Sequence, residues 1–215
     1  MNSNRLIVLE GVEGAGKSTV ISRLKRYCQE HNLDAVFTRE PGGTPIGERI
    51  RDILIDNTID ERLDDKAELL LMYAARVQHI ASLIKPALTQ GKWVICDRFN
   101  WSSFAYQGGG RKLGIDYVKT LDTHLLGSLK AGLTLYLDID PKLGLMRARH
   151  RHTLDRIEQE KIGFFERARD VFVKLTQNEA NAVLIDASRP QPEVEEKVMD
   201  IIKRYINDNQ AIAGS

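Results

Sequence analysis

Cysteine is scarce in this chain, with only Cys28 and Cys96 in 215 residues. The two form no ligand pair by spacing, so both read as free buried thiols, which suits a reducing compartment. Neither sign of charge is in excess. Lys and Arg number 31 against 30 Asp and Glu, a formal net charge of +1, so no global field favours nucleic acid or a membrane surface, and any attraction for anions must be local. No stretch approaches about 18 consecutive apolar residues, and the N-terminus lacks a basic region followed by an apolar run. Neither a membrane span nor a secretory leader is therefore expected, and the chain reads as cytoplasmic. Internal repeats, low-complexity tracts and domain linkers are missing too. What remains is an ordinary globular composition, 42% hydrophobic and 28% charged, suited to one domain with a substantial core.

Against that plain background one stretch stands out. Gly11-Val12-Glu13-Gly14-Ala15-Gly16-Lys17-Ser18-Thr19 follows the apolar run Leu6-Ile7-Val8-Leu9 and precedes a helical pattern. It reads G-x-x-x-x-G-K-S, a phosphate-binding loop in its required strand–loop–helix context. Glycines let backbone N–H groups turn inward toward phosphate oxygens, and the helix N-terminus adds partial positive charge. Lys17 would reach the β and γ phosphates, and Ser18 would hold Mg²⁺.

Five short apolar runs read as buried parallel strands: 5–10, 35–39, 93–97, 133–138 and 182–186. They are continuous rather than alternating, as strands covered on both faces are. Helical patterns separate them, at 19–31, 47–55, 64–90, 115–126, 141–150, 155–178 and 193–207, and residues 209–215 look like a frayed tail. Strands alternating with helices predict an α/β fold, doubly wound about a parallel sheet, with ligands beyond the carboxyl ends of the strands.

Those strand ends carry the chemistry. After the second strand comes Thr38-Arg39-Glu40-Pro41-Gly42-Gly43-Thr44. It is either an ordinary turn with a surface arginine, or a turn with Arg39 clamping a second anion and Pro41 beside it. The third strand ends in Asp97-Arg98, where the aspartate could face the Mg²⁺ shell from the side opposite Ser18, or simply cap the next turn. Beyond it, Ser102, Ser103, Tyr106 and Gln107 share a helix face, either a plain polar surface or one suited to the edge of a nucleobase. On the long helix Met72 and Arg76 also share a face. Met72 and Tyr73 read as core or as ligand contacts, whereas an arginine amid apolar positions needs a partner. Four arginines fall within residues 147–156. They read either as a basic helix end or as a mobile lid, at about 147–157, closing over phosphates. His150 and His152 are expected at the surface, not on a metal.

Taken together these residues resemble the thymidylate kinases, over nearly the whole chain. The markers are Gly-Val-Glu-Gly-Ala-Gly-Lys-Ser at 11–18, Thr-Arg-Glu-Pro-Gly-Gly-Thr at 38–44, Tyr-Ala-Ala-Arg at 73–76, Asp-Arg at 97–98, Ala-Tyr-Gln-Gly-Gly-Gly-Arg at 105–111 and Leu-Asp-Arg-Ile-Glu at 154–158. The resemblance implies a P-loop nucleoside-monophosphate-kinase fold with a five-stranded parallel sheet flanked by helices on both faces. It implies transfer of the γ-phosphoryl of ATP to dTMP with Mg²⁺, in a cytosolic homodimer. Arg39 and Arg98 would hold the dTMP phosphate. Arg76 and Gln107 would address thymine, helped by Ser102 and Ser103. Tyr106 would crowd the sugar 2′ position, and Glu13 would lie near the 3′-hydroxyl and the lid arginines. Met72 stands where many members carry a phenylalanine that stacks on the base; a thioether can also pack on a ring. The phosphate loop holds no arginine, which resembles the bacterial type in which a lid arginine performs that role. Arg149 and Arg151 are the candidates, with Arg156 beside them. A kinase for another monophosphate or small metabolite is the alternative. A nucleotide-binding switch is the more distant one, since neither an Asn-Lys-x-Asp nor an Asp-x-x-Gly motif follows the third strand.

Overall fold

The computed structural model describes residues 3–149 and 155–213, the side chains of 211–213 excepted. Five parallel strands form one sheet: β1 (Leu6–Glu10), β2 (Ala35–Arg39), β3 (Trp93–Asp97), β4 (Leu133–Asp138) and β5 (Ala182–Asp186). Their order is β2-β3-β1-β4-β5. The chain moves to one side of β1 for β2 and β3, then crosses back for β4, so β1 and β3 flank the switch point where such sheets bind ligands. Leu9 pairs with Asp97, and Asp97 in turn with Arg39. The phosphate loop, Asp97 and Arg39 therefore emerge from one edge.

The doubly wound expectation is met by two cores on the two faces. Ile7 and Leu9 of β1 face Val20 and Leu24 of α1 (Lys17–Glu30), Phe165 and Phe172 of α8 (Ile162–Asn178), and Val198 and Ile202 of α9 (Gln191–Ala213). Leu6 and Val8 face the other way, onto Leu69 and Tyr73 of α3 (Asp65–His79), Leu88 of α4 (Lys85–Thr89) and Val118 of α6 (Ile115–Leu126). The expectation that all five strands are buried holds for β1, β3 and β4; β2 and β5 are only partly buried, because each lies at an edge of the sheet. Two short helices, α2 (Pro45–Ile55) and α7 (Pro141–Arg149), complete the frame around the site.

Local chemistry sets the boundaries where they depart from the periodic pattern. Arg5 belongs to a 3₁₀ turn, its guanidinium over the Trp93 ring, and β1 begins one residue later. α2 starts at Pro45 because the Thr44 side chain accepts from the Gly47 amide and proline is tolerated at the first helical position. The long helix expected over 64–90 is one continuous run, capped by Asp64 and loosened to a π turn at Ile80–Ile84 between α3 and α4. Pro86 has no N–H for the carbonyl four residues back, and a wider turn relieves that loss. The helix expected from residue 155 begins only at Ile162. Asp155 accepts from the amides of Ile157 and Glu158, and Glu158 returns a bond to the Asp155 amide, which closes a separate turn. The last helix runs to Ala213, through most of the segment expected to fray.

Candidate active site

The phosphate loop folds as its glycines require. Gly14 and Gly16 hold left-handed backbone angles, φ +74° and +94°. A Cβ on Gly14 would lie 2.0 Å from the Gly144 carbonyl oxygen, so this glycine lets the loop touch α7, the helix leading to the arginine-rich segment. Lys17 opens α1 and is buried. Its ammonium donates to the carbonyls of Gly11 (2.8 Å) and Val12 (3.3 Å). Burial, with repulsion from Arg98, pulls its pKa down to about 8.

A cleft opens over this loop. It is lined by Glu13 to Ser18 of the loop, Glu40, Pro41, Arg51 and Ile55, Met72 and Arg76, Asp97 and Arg98, Ser102, Ser103, Tyr106 and Gln107, and Asp155, Ile157 and Glu158. Most of the residues expected at the site thus meet in one cavity. Gly11, Val12 and Thr19 do not line it; the first two serve through their carbonyls.

Arg98 holds a left-handed conformation, φ +68°, unusual for a residue with a side chain. Its amide donates to the Leu9 carbonyl at 2.9 Å, which tethers the turn to β1. Its guanidinium donates to the Gly11 carbonyl (2.7 Å), to Glu13 (2.6 Å) and, more weakly, to the Ser102 hydroxyl (3.4 Å), above the Tyr106 ring. Burial works against its charge, but the surrounding oxygens of Tyr106, Glu13, Asp97 and Glu10 hold it charged. Asp97 stands beside it with a buried Oδ1 that has no hydrogen-bond partner among the described residues. A buried, unpartnered carboxylate oxygen in a cleft that Ser18 also lines gives oxygen donors suited to a hard cation.

The deeper wall is fixed from behind. α5 (Asn100–Ser103) passes into a π turn at Phe104–Gly110, and this stretch presents Ser102, Ser103, Tyr106 and Gln107. Arg76, only 2% exposed, donates to Glu40 Oε2 (2.6 Å), Ser103 Oγ (2.9 Å) and the Phe99 carbonyl (3.0 Å). Its five N–H groups leave two uncommitted. Gln107 donates from Nε2 to Glu68 at 2.8 Å, leaving its carbonyl oxygen as the free end of the amide. Tyr106 donates to Glu13 Oε2 at 3.0 Å and stacks on Phe164. Met72 lines the cleft, whereas Tyr73 is core: its hydroxyl donates to Asp122 (2.8 Å) and its ring lies under Arg76.

Other expected residues sit elsewhere. Arg39 is exposed and pairs with Glu48 at 2.7 Å, outside the cleft lining; Arg51, one turn beyond Glu48, lines the cleft instead and donates to the Pro41 carbonyl. Arg149 is exposed at the end of α7, away from the lining. Arg156 is committed to Glu68 (2.6 Å) and the Leu54 carbonyl (2.9 Å). Arg151 and both histidines at 150 and 152 lie outside the described residues. Cys28 and Cys96 are free and buried, as expected, and burial raises both thiols.

Sequence reasoning missed three buried carboxylates. Glu40 partners Arg76; Glu68 gathers Gln107, Arg111 and Arg156; Glu10 lies under the Arg98 turn. For Glu10 and Glu68 the available signal was an acidic residue beside an apolar run, which implies a basic or N–H partner without saying which; Glu40, in a polar turn, gave none.

Comparison with known proteins shows the family. The family model described as thymidylate kinase matches residues 9–198. A thymidylate kinase of Shewanella loihica is 50% identical over 204 residues, covering 94% of this chain and 97% of its own length. One from Legionella pneumophila is 46% identical over 207 residues, covering 96% and 98%. Another from Francisella tularensis subsp. novicida is 46% identical over 204 residues, covering 95% and 98%.

Proposed function

The chain belongs to the thymidylate kinase family, and from that premise and the cleft we infer that it transfers the γ-phosphoryl of ATP to dTMP, giving dTDP and ADP. The observation that carries the choice of base is the polarity of the deep wall. Gln107 is oriented by an N–H bond from its amide to Glu68, which leaves its carbonyl oxygen as an acceptor, while Arg76 keeps N–H donors. Thymine presents a matching N3–H donor beside the O4 acceptor. Cytosine reverses both, and would leave buried polar groups unpaired.

Transfer is in-line, without a covalent intermediate, so positioning and charge compensation supply the rate. Lys17 and the loop amides hold the donor phosphates. Arg98 holds the acceptor phosphate, with Arg39 reaching in when it leaves Glu48. Ser102 and Ser103 support the base wall, Met72 packs on the base, and Glu13 meets the sugar. Asp97 and Ser18 would hold Mg²⁺, a fit supported by the orphaned Asp97 oxygen; the ion, when bound, neutralises phosphate charge. The segment at about 147–157 is the lid.

The lid arginines have a direct test. Loss of the essential one, Arg149 or Arg151, is expected to lower kcat by about 10³-fold or more with little change in dTMP affinity. Full kcat in both alanine variants would remove both from the role. Tyr106 is the expected ribose sensor. In a coupled ADP-release assay dTMP should be the preferred acceptor over UMP and dCMP, and Tyr106→Ala should narrow the dTMP-to-UMP ratio of kcat/KM by about tenfold. An unchanged ratio would place ribose sensing elsewhere, and a different preferred acceptor would overturn the substrate assignment. A homodimer is supported by exposed Ile46 and Ile53 on α2 and Leu70 and Val77 on α3, seven apart on each helix. Free buried thiols support a cytoplasmic setting.

A further inference from the structure

Glu10 ends β1, is wholly buried and does not line the cleft. Its carboxylate nevertheless organises one whole wall. Phe99 precedes α5 and has no side-chain acceptor, so the helix starts without a cap of its own. Glu10 supplies one from the neighbouring strand. Its Oε1 accepts from the amides of Phe99 (2.9 Å) and Ser102 (3.2 Å). Its Oε2 accepts from the Ser102 hydroxyl at 2.7 Å. Having given its one proton to Glu10, that hydroxyl presents only lone pairs to the Arg98 guanidinium, which donates to it at 3.4 Å.

We propose that Glu10 is a positioning residue for the acceptor nucleotide: it fixes the first turn of α5 and, through the Ser102 hydroxyl, aims Arg98 at the acceptor phosphate. Two other observations agree. The Arg98 backbone is left-handed and must be held in place. Burial pushes the Glu10 carboxyl up to about 7, and Ser102, Arg98, the Phe99 amide and Lys17 are the groups that hold it from rising further. The proposal rests on Arg98 holding the acceptor phosphate.

Glu10→Gln separates the two tasks. The amide oxygen still accepts from the backbone, but its NH₂ faces Ser102, whose proton must then turn toward the Arg98 cation. Calorimetric titration with dTMP, and separately with a non-hydrolysable ATP analogue, would be run on the unaltered chain, Glu10→Gln, Arg98→Ala and the double variant. Glu10→Gln should weaken dTMP by about tenfold or more and the ATP analogue by less than about twofold. In the Arg98→Ala background it should weaken dTMP by less than about twofold. Unchanged dTMP affinity in Glu10→Gln would overturn the proposal. So would equal weakening in both backgrounds, which is what loosening of the segment alone would produce. If Arg98→Ala itself leaves dTMP affinity intact, the role of Arg98 fails first and takes this one with it. Should Glu10→Gln not fold, Glu10→Asp, which keeps the charge but shortens its reach to Ser102, is titrated in both backgrounds, and the same pattern decides.

Discussion

Replacing Lys17 by alanine is expected to lower kcat by about three orders of magnitude while the protein stays folded. The ammonium is held by two loop carbonyls, in a buried position at the N-terminus of α1. It is a fixed charge awaiting phosphates, and its field is strong because water is largely excluded. Losing it removes about one or two modest hydrogen bonds from the fold and also removes a buried cation, so the effect on stability is small. The rate should be read in single-turnover experiments, with circular dichroism as the control for folding. The same residue predicts a pH dependence. In the free protein its pKa is lowered to about 8, and only the charged form serves. Thus kcat/KM for ATP should fall as pH rises through about 8. Bound phosphates raise the pKa, so kcat itself should hold to higher pH. Turnover within tenfold of the unaltered protein in Lys17→Ala would remove the loop lysine from the mechanism.

Arg76→Met is expected to cost about 3–5 kcal/mol of unfolding stability, because it strands a partner in the interior. Glu40 is itself 4% exposed and meets Arg76 Nε at 2.6 Å. Without the guanidinium, His79, at 3.0 Å from the other carboxylate oxygen, is its remaining side-chain neighbour in the pair. Affinity for dTMP should fall by about 100-fold, since the donors facing the base are gone. The double change Arg76→Met with Glu40→Gln separates the two effects: it should regain much of the stability, with a neutral amide where a stranded charge would lie, and little of the affinity. Denaturant titration and calorimetry read the two quantities independently. Stability within about 1 kcal/mol of the unaltered protein in Arg76→Met would mean that Glu40 does not depend on this partner. Unchanged affinity would take Arg76 out of base recognition.

The contrast between Arg76 and Arg39 shows how far one-dimensional reading reaches. Arg39 stands in a turn that could clamp an anion, and Arg76 lies among apolar positions where a guanidinium needs a partner. For Arg76 the apolar helix face already demanded a buried partner, and the structure supplies Glu40, Ser103 and the Phe99 carbonyl. For Arg39 nothing local distinguished a ligand clamp from a surface ion pair; here it rests on Glu48, and Arg51 lines the cleft. Met72 and Tyr73 make the same point. Adjacent residues on a helix diverge by about 100°, so only one could face the cleft, and packing under Arg76 gave Tyr73 to the core.

Four of the five strand spans and the phosphate loop were determined by the sequence alone, because continuous apolar runs and glycines at fixed spacing constrain the backbone through local sterics and burial. The family and its reaction were legible for the same reason: its motifs are short contiguous stretches. What only the tertiary structure decided is which donor each buried carboxylate meets. Glu10, Glu40 and Glu68 meet partners 36 to 92 positions away, as their bonds to Ser102, Arg76, Gln107, Arg111 and Arg156 require. Such pairings follow from the strand order, in which β3 is set beside β1, and no local pattern encodes them.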